Sequence, residues 1–198
     1  MAEINSDMLK ELRDRTQAGL LDCKKALAEV DGDMEKAVDL LRKKGLAAAD
    51  KKMGREANEG IIASYIHSNN KIGVLLELRT VTDFVAKNED FLNLSKELCM
   101  QIAAASPLYI SIDDVPESEI EREKEIYKEQ MKSSGKPENV LDKIVDGKIN
   151  KYFSEICLLE QTYIKDNNVV IKDLIKEKIA VFGENIEVGK FSRFQIGA

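Results

Sequence analysis

Apolar and polar residues alternate along positions 71–80 and then switch to helical spacing after position 88. Ile72, Val74, Leu76 and Leu78 fall two apart among Lys71, Gly73, Leu75, Glu77 and Arg79, the period of a half-buried strand. Phe91, Leu94, Leu98 and Ile102 then recur at three and four residues, with Asn88 placed to cap and Glu89 and Asp90 in the first turn, which predicts a helix. The stretch Thr82-Asp83-Phe84-Val85-Ala86-Lys87-Asn88 joins the two. It puts an acid and a large aromatic at a connection that a rigid scaffold can present to a partner.

The same reading predicts three short helices over residues 6–45. The first, near Ser6 to Arg13, carries Leu9 and Leu12 and has Ser6 or Asp7 as a cap, and Thr16-Gln17-Ala18-Gly19 turns the chain. The second uses Leu20, Cys23, Ala26, Leu27 and Val30 and stops at Asp31-Gly32, where glycine accommodates the left-handed conformation of a helix end. Asp33 caps the third, whose apolar face is Met34, Ala37, Val38 and Leu41 and whose end is expected at Gly45. Three helices of this length bury a small core, so the unit is expected to offer a surface more than a pocket.

Residues 46–59 are rich in Ala and Lys, lack a large apolar face and read as a linker. From residue 60 to 198 the pattern predicts a core of strands and helices. Ile62 and Ile66 share one face of a strand, and Ser68-Asn69-Asn70 suits a short hairpin loop. A further strand near the C-terminus carries Ile186, Val188, Phe191 and Phe194, with a bulge near Gly189 to reconcile their spacing. Pro107 closes the Phe91 helix, and Pro116 opens another bearing Ile120, Tyr127 and Met131. Ser133-Ser134-Gly135-Lys136-Pro137 breaks the chain, after which Leu141, Ile144, Ile149, Tyr152, Phe153 and Ile156 return at helical spacing. Residues 116–156 are therefore expected to form an antiparallel helical pair. A last helix from about Val170 to Val181 stops at Gly183. The fold class is α+β: helices first, then a small antiparallel sheet packed by helices and a helical hairpin.

Composition narrows the function. The 198 residues are 43% hydrophobic and 33% charged, the balance of a globular protein, and the net charge is -6. A negative chain argues against general nucleic-acid or anionic-membrane binding, which needs clustered Lys and Arg. Cys23, Cys99 and Cys157 are widely separated, suggesting reduced thiols instead of a disulfide framework or a zinc site. No targeting pattern and no membrane-length apolar run is evident, so a cytoplasmic protein is expected.

Candidate chemistry is sparse. His67 is the one histidine and falls at a strand end beside a polar turn, where a hydrogen-bonded loop residue is the expected role. The common nucleophile, zinc and phosphate-loop motifs do not occur. A hydrolase using Asp83 and His67 lacks an accompanying nucleophile or metal set. Periodicity alone favours Phe84 as a core residue capping the sheet, because buried aromatics are the usual case, with Asp83 as a helix-start acid. The other reading makes Phe84 an exposed tip.

Several separated motifs resemble one family along almost the whole chain. They are Glu11-Leu12-Arg13 with Arg15-Thr16, Asp22-Cys23-Lys24-Lys25-Ala26-Leu27, Gly32-Asp33, and Leu41-Arg42-Lys43-Lys44-Gly45-Leu46-Ala47. The central one is Thr82 to Asn88, followed by Pro107-Leu108-Tyr109, Gly135-Lys136-Pro137, Leu158-Leu159-Glu160-Gln161 and Gly183-Glu184-Asn185-Ile186. In this order they resemble bacterial elongation factor Ts in its short form. The resemblance implies a ubiquitin-associated-like three-helix domain over 1–45, a linker over 46–59 and an α+β core over 60–198.

It also implies a regulator of a GTPase, without a reaction of its own and without a cofactor. Such a protein binds elongation factor Tu carrying GDP, displaces magnesium and promotes GDP release so that GTP can enter. The resemblance assigns magnesium displacement in the partner to Thr82, Asp83, Phe84 and Val85. Lys24, on the second helix, is the expected docking residue, and a homo-oligomer is left open. The chain departs from the family at Thr80-Val81, where members often carry Cys-Glu, and at Gln17, where Gly is frequent. The alternative from another class is a helical adaptor that binds a protein partner without nucleotide coupling.

Overall fold

The computed structural model describes residues 4–132 and 138–197. The expected break at Ser133 to Pro137 lies outside the described residues. The chain forms two compact units, one of residues 1–60, 79–86 and 174–187, the other of residues 61–78, 87–173 and 188–198. The α+β class is as expected: eight α-helices, a three-stranded antiparallel sheet and a two-stranded ribbon among the described residues.

The first unit begins with three helices, α1 (Ser6–Thr16), α2 (Leu20–Glu29) and α3 (Met34–Asp50). Leu12, Cys23, Ala26, Leu27, Ala37 and Leu41 are buried together, with Met8, Leu9, Val30 and Val38 packed around them. The start of α1 is capped by Asn5, whose Oδ1 accepts the Met8 N–H at 2.9 Å, not by Ser6 or Asp7. Its end is set by Gln17, held at φ 55 with its N–H on the Arg13 carbonyl. That left-handed position favours glycine, and here Gln17 Nε2 reaches the Asp14 carbonyl at 3.2 Å.

Asp33 caps α3 as expected, Oδ1 accepting the Lys36 N–H at 3.1 Å. That bond, with the Lys36 side chain beside it, holds the Asp33 carboxyl below its ordinary value. A depressed folded-state value means stabilisation that is complete above the unfolded value and disappears as pH falls through the folded one. Thermal melts should therefore show Asp33→Ala less stable than wild type at neutral pH, the gap closing as the solution is acidified. A gap that stays constant down to pH ~2 would remove the charge from the account.

The third helix does not end at Gly45 but runs to Asp50. Gly45 is there for closeness: a Cβ on it would stand 3.2 Å from the Ala180 methyl of α8 (Ile171–Phe182). The second half of α3 is tied to α8 by Arg42 to Glu177 at 2.7 Å and Lys176 to Asp50 at 3.0 Å. Beyond it, Lys52 Nζ donates to the carbonyl of Gly183, which closes α8 at φ +75.

The sheet has the order β1 (Glu59–Ile66), β2 (Ile72–Thr80), β5 (Ile186–Gln195). In the hairpin between the first two, Asn70 takes φ 55, its N–H on the His67 carbonyl at 2.8 Å, while Asn69 Oδ1 accepts the Lys71 N–H at 2.9 Å. The alternation of β2 is as expected, with Val74, Leu76 and Leu78 buried. Ile62 and Ile66 do share a face, but it is the solvent face, together with Leu75; Ala63 is the buried residue of β1. On β5, Phe191 is half-buried and Phe194 is exposed, so these two aromatics do not share one apolar face.

Helix α5 (Glu89–Ala105) starts at Asn88, whose Oδ1 accepts the Asp90 N–H at 2.8 Å, and buries Phe91, Leu94, Leu98, Cys99 and Ile102. The helical pair is α6 (Glu117–Lys132) and α7 (Glu138–Ile156), antiparallel, with Lys128 near Asp142 at 4.0 Å and Lys148 5.0 Å from the Tyr127 ring centre. Val145, Ile149, Phe153 and Ile156 pack at its root with Val115 and Cys157. There Glu119 accepts the hydroxyls of Tyr109 at 2.7 Å and Tyr152 at 2.5 Å. Tyr152 first and Tyr109 second hold its carboxyl below the ordinary value. The short ribbon of β3 (Thr162–Tyr163) and β4 (Asp166–Val170) is not foreseen by the hydrophobic pattern. Gln101 supports it from α5, donating to the Thr162 carbonyl at 3.1 Å and accepting the Ile164 N–H at 2.9 Å.

Candidate functional site

Thr82 leaves β2 and opens a single helical turn, α4 (Asp83–Ala86). Its carbonyl accepts the Ala86 N–H at 3.2 Å and closes that turn. One turn cannot hold itself together, since nucleation fixes several dihedrals for one hydrogen bond, so anchors at both ends matter. At the far end Val85 and Ala86 are 5% and 4% exposed. At the near end the Glu184 carboxylate accepts both donors of Thr82: the backbone N–H to Oε2 at 3.1 Å, and the hydroxyl shared between Oε1 at 2.8 Å and Oε2 at 3.1 Å. The buried Thr80 hydroxyl is a third donor, to Oε2 at 3.3 Å.

Between these anchors Asp83 is exposed and Phe84 is 81% exposed. The expectation that Phe84 caps the sheet from within the core is therefore wrong. Period counting gave it to the core because an aromatic beside an apolar strand usually lies there. Here the one-turn helix rotates the chain so that Val85 and Ala86 face inward in its place. Of the four residues assigned to the tip, two stand in solvent, Thr82 is half-buried and braced, and Val85 is an anchor.

A second exposed feature lies on α2. Leu20 and Leu21 are 55% and 72% exposed, and Lys24, one turn on, is exposed as well. Leu20 was expected in the small core; the buried stripe of α2 is instead Cys23, Ala26 and Leu27. Leu20 lies three residues before Cys23 and seven before Leu27, in line with that stripe, so spacing alone gave no signal that it stands at the surface.

The remaining candidates are accounted for. His67 is half-buried with Nδ1 3.0 Å from the Tyr65 hydroxyl. All three cysteines are buried and free; burial pushes the thiols of Cys99 and Cys157 up to about 11 and raises that of Cys23. Among the described residues no group of His, Cys, Asp and Glu is arranged to hold a metal ion, and no helix is long and apolar enough to cross a membrane.

Fold and site together define an α+β protein that holds an aromatic side chain out in solvent on a braced turn. The family model described as Elongation factor TS matches residues 47–198. The elongation factor Ts of Oleidesulfovibrio alaskensis is 57% identical over 198 residues, all of both chains. That of Thermoanaerobacter sp. (strain X514) is 57% identical over 194 residues, covering 98% of this chain and 95% of its own. That of Fervidobacterium nodosum is 56% identical over 195 residues, covering 98% and 99%. The chain belongs to the elongation factor Ts family, as the separated motifs indicated, and its family supports a role in translation elongation.

Proposed function

We propose that this protein is a guanine-nucleotide exchange factor that binds elongation factor Tu carrying GDP, displaces its magnesium ion and releases the GDP so that GTP can enter. The observation that carries the reading is Phe84, 81% exposed on a turn anchored at both ends. An exposed aromatic loses its contact with water only when a partner covers it, and such side chains dominate binding energy at interfaces. A GTPase holds its nucleotide through backbone donors, a lysine and a magnesium ion that neutralises phosphate charge. An aromatic wedged among the side chains that support the magnesium site, with Asp83 making a polar contact in the altered state, loosens the whole set.

No bond is made or broken by the factor itself. It needs only to bind the empty GTPase better than the GDP-magnesium form, and the coupling is reciprocal, so incoming GTP weakens the factor's grip on the GTPase and the factor leaves. The three-helix region supplies the second contact, with Leu20, Leu21 and Lys24 as docking side chains. Leucines exposed beside a lysine on one helix face suit a partner surface that is apolar with an acidic rim.

Titration calorimetry with elongation factor Tu, empty and GDP-loaded, tests this together with stopped-flow release of fluorescent GDP. Tighter association with the empty form and accelerated release are expected. Equal affinity for both forms, with no acceleration, makes the protein an adaptor without nucleotide coupling.

A further inference from the structure

We propose that Glu184 is the positioning residue of the exchange tip: its carboxylate fixes Thr82, and through Thr82 the direction in which Phe84 projects. This rests on the exchange reading above and adds a residue that acts on Phe84 through Thr82. Phe84 is almost fully exposed, so packing does not fix its direction. That direction is inherited from α4, which is one turn long and begins at the residue Glu184 holds. Two of the three donors to this carboxylate belong to Thr82, and the third to Thr80, two positions earlier.

The clamp is itself fixed from both sides. Gly183, at φ +75, gives its carbonyl to Lys52 Nζ. Asn185 is 1% exposed and its Nδ2 donates to the Arg55 carbonyl at 2.7 Å and to Glu187 Oε1 at 2.5 Å. The residues before and after Glu184 are thus tied to the segment that follows α3, and the carboxylate has little freedom to follow a moving tip. A carboxylate that accepts a backbone N–H and two hydroxyls, with its own backbone held in place, is suited to orientation.

The substitutions are Glu184→Ala, Glu184→Gln, and Thr82→Val, which deletes the hydroxyl bonds but keeps the shape and the backbone N–H. Stimulated GDP release is measured over a range of factor concentrations, so that the maximal rate and the half-saturating concentration separate. Glu184→Ala should lower the maximal rate about tenfold and shift half-saturation by less than about twofold. Glu184→Gln, which keeps an acceptor oxygen for the Thr82 N–H, should recover most of the loss, and Thr82→Val should fall between. In the Phe84→Ala background Glu184→Ala should cost nothing further, because both changes remove the same tip.

A second readout needs no partner. In fluorophenylalanine-labelled protein the 19F signal of residue 84, assigned by its absence in Phe84→Ala, should move or broaden in Glu184→Ala. Equal loss with and without Phe84, or an unchanged 19F signal, overturns the proposal. If Glu184→Ala does not fold, the same criteria apply to Thr82→Val. Failure of the exchange reading looks different: wild type and Phe84→Ala would then release GDP at the same rate, whatever happens at Glu184.

Discussion

Phe84→Ala leaves the protein folded and slows stimulated GDP release by roughly 30-fold to several hundred-fold, the kinetic equivalent of losing an interfacial hot spot of ~2–4 kcal/mol. Folding survives because the ring is 81% exposed and contributes almost no buried area, while Val85 and Ala86 still anchor the turn. On the proposed exchange function, the loss falls on release because the wedge would be needed only as the magnesium site opens. Binding to the empty GTPase weakens by a similar factor, and binding to the GDP form changes less, since coupling is a difference between the two. Circular dichroism establishes the fold and stopped-flow fluorescence the rate. Release as fast as with wild type would remove Phe84 from the mechanism.

Phe91→Ala has the opposite signature. Seven positions along the chain from Phe84, this ring is 0% exposed, and deleting it leaves a cavity whose cost is about 3–5 kcal/mol. For a protein of ordinary stability that is a large share of the total, so the urea midpoint drops sharply with little change in slope. Exchange by whatever fraction remains folded should stay close to wild type. A loss below ~1 kcal/mol would mean that the surrounding side chains close over the gap. The two phenylalanines thus separate function from stability within one short stretch of chain.

Why sequence periodicity places Phe91 and misplaces Phe84 has a physical answer. Phe91 belongs to a long helix, where Leu94, Leu98 and Ile102 repeat the same stripe and each supports the assignment of the others. Phe84 sits in a turn of four residues, too short for any period, and its exposure is decided by how Thr82 and Val85 are held. Glu184, which holds Thr82, lies 102 positions away; no local pattern reports a bond of that kind. The same limit explains Gly45. As a local signal it reads as a helix end, and only the presence of Ala180 opposite it reveals a helix running on through a close contact. The ribbon of β3 and β4 escapes for a simpler reason: it is short, and Asp166, Asn167 and Asn168 are residues of turns.

What the sequence does carry well is whatever repeats or caps. The alternation of β2, the caps at Asp33 and Asn88, and the hairpin loop at Ser68 to Asn70 are all found where local chemistry puts them. The tip was legible as a place, a strand-to-helix junction bearing an acid and an aromatic, and the three-helix region as a small core. Which side chains stood outside those cores was not, because exposure depends on neighbours that arrive from elsewhere in the chain.

The sealed thiols bear on how the factor works through its cycle. Cys23, Cys99 and Cys157 are buried, and burial keeps each in the unreactive protonated form. Encounters with another protein therefore involve no cysteine chemistry on this side, because no thiol stands at the surface to form a mixed disulfide. Engagement and separation are left to reversible, non-covalent forces, and a thiol reagent applied to the folded protein would meet no cysteine at its working edge.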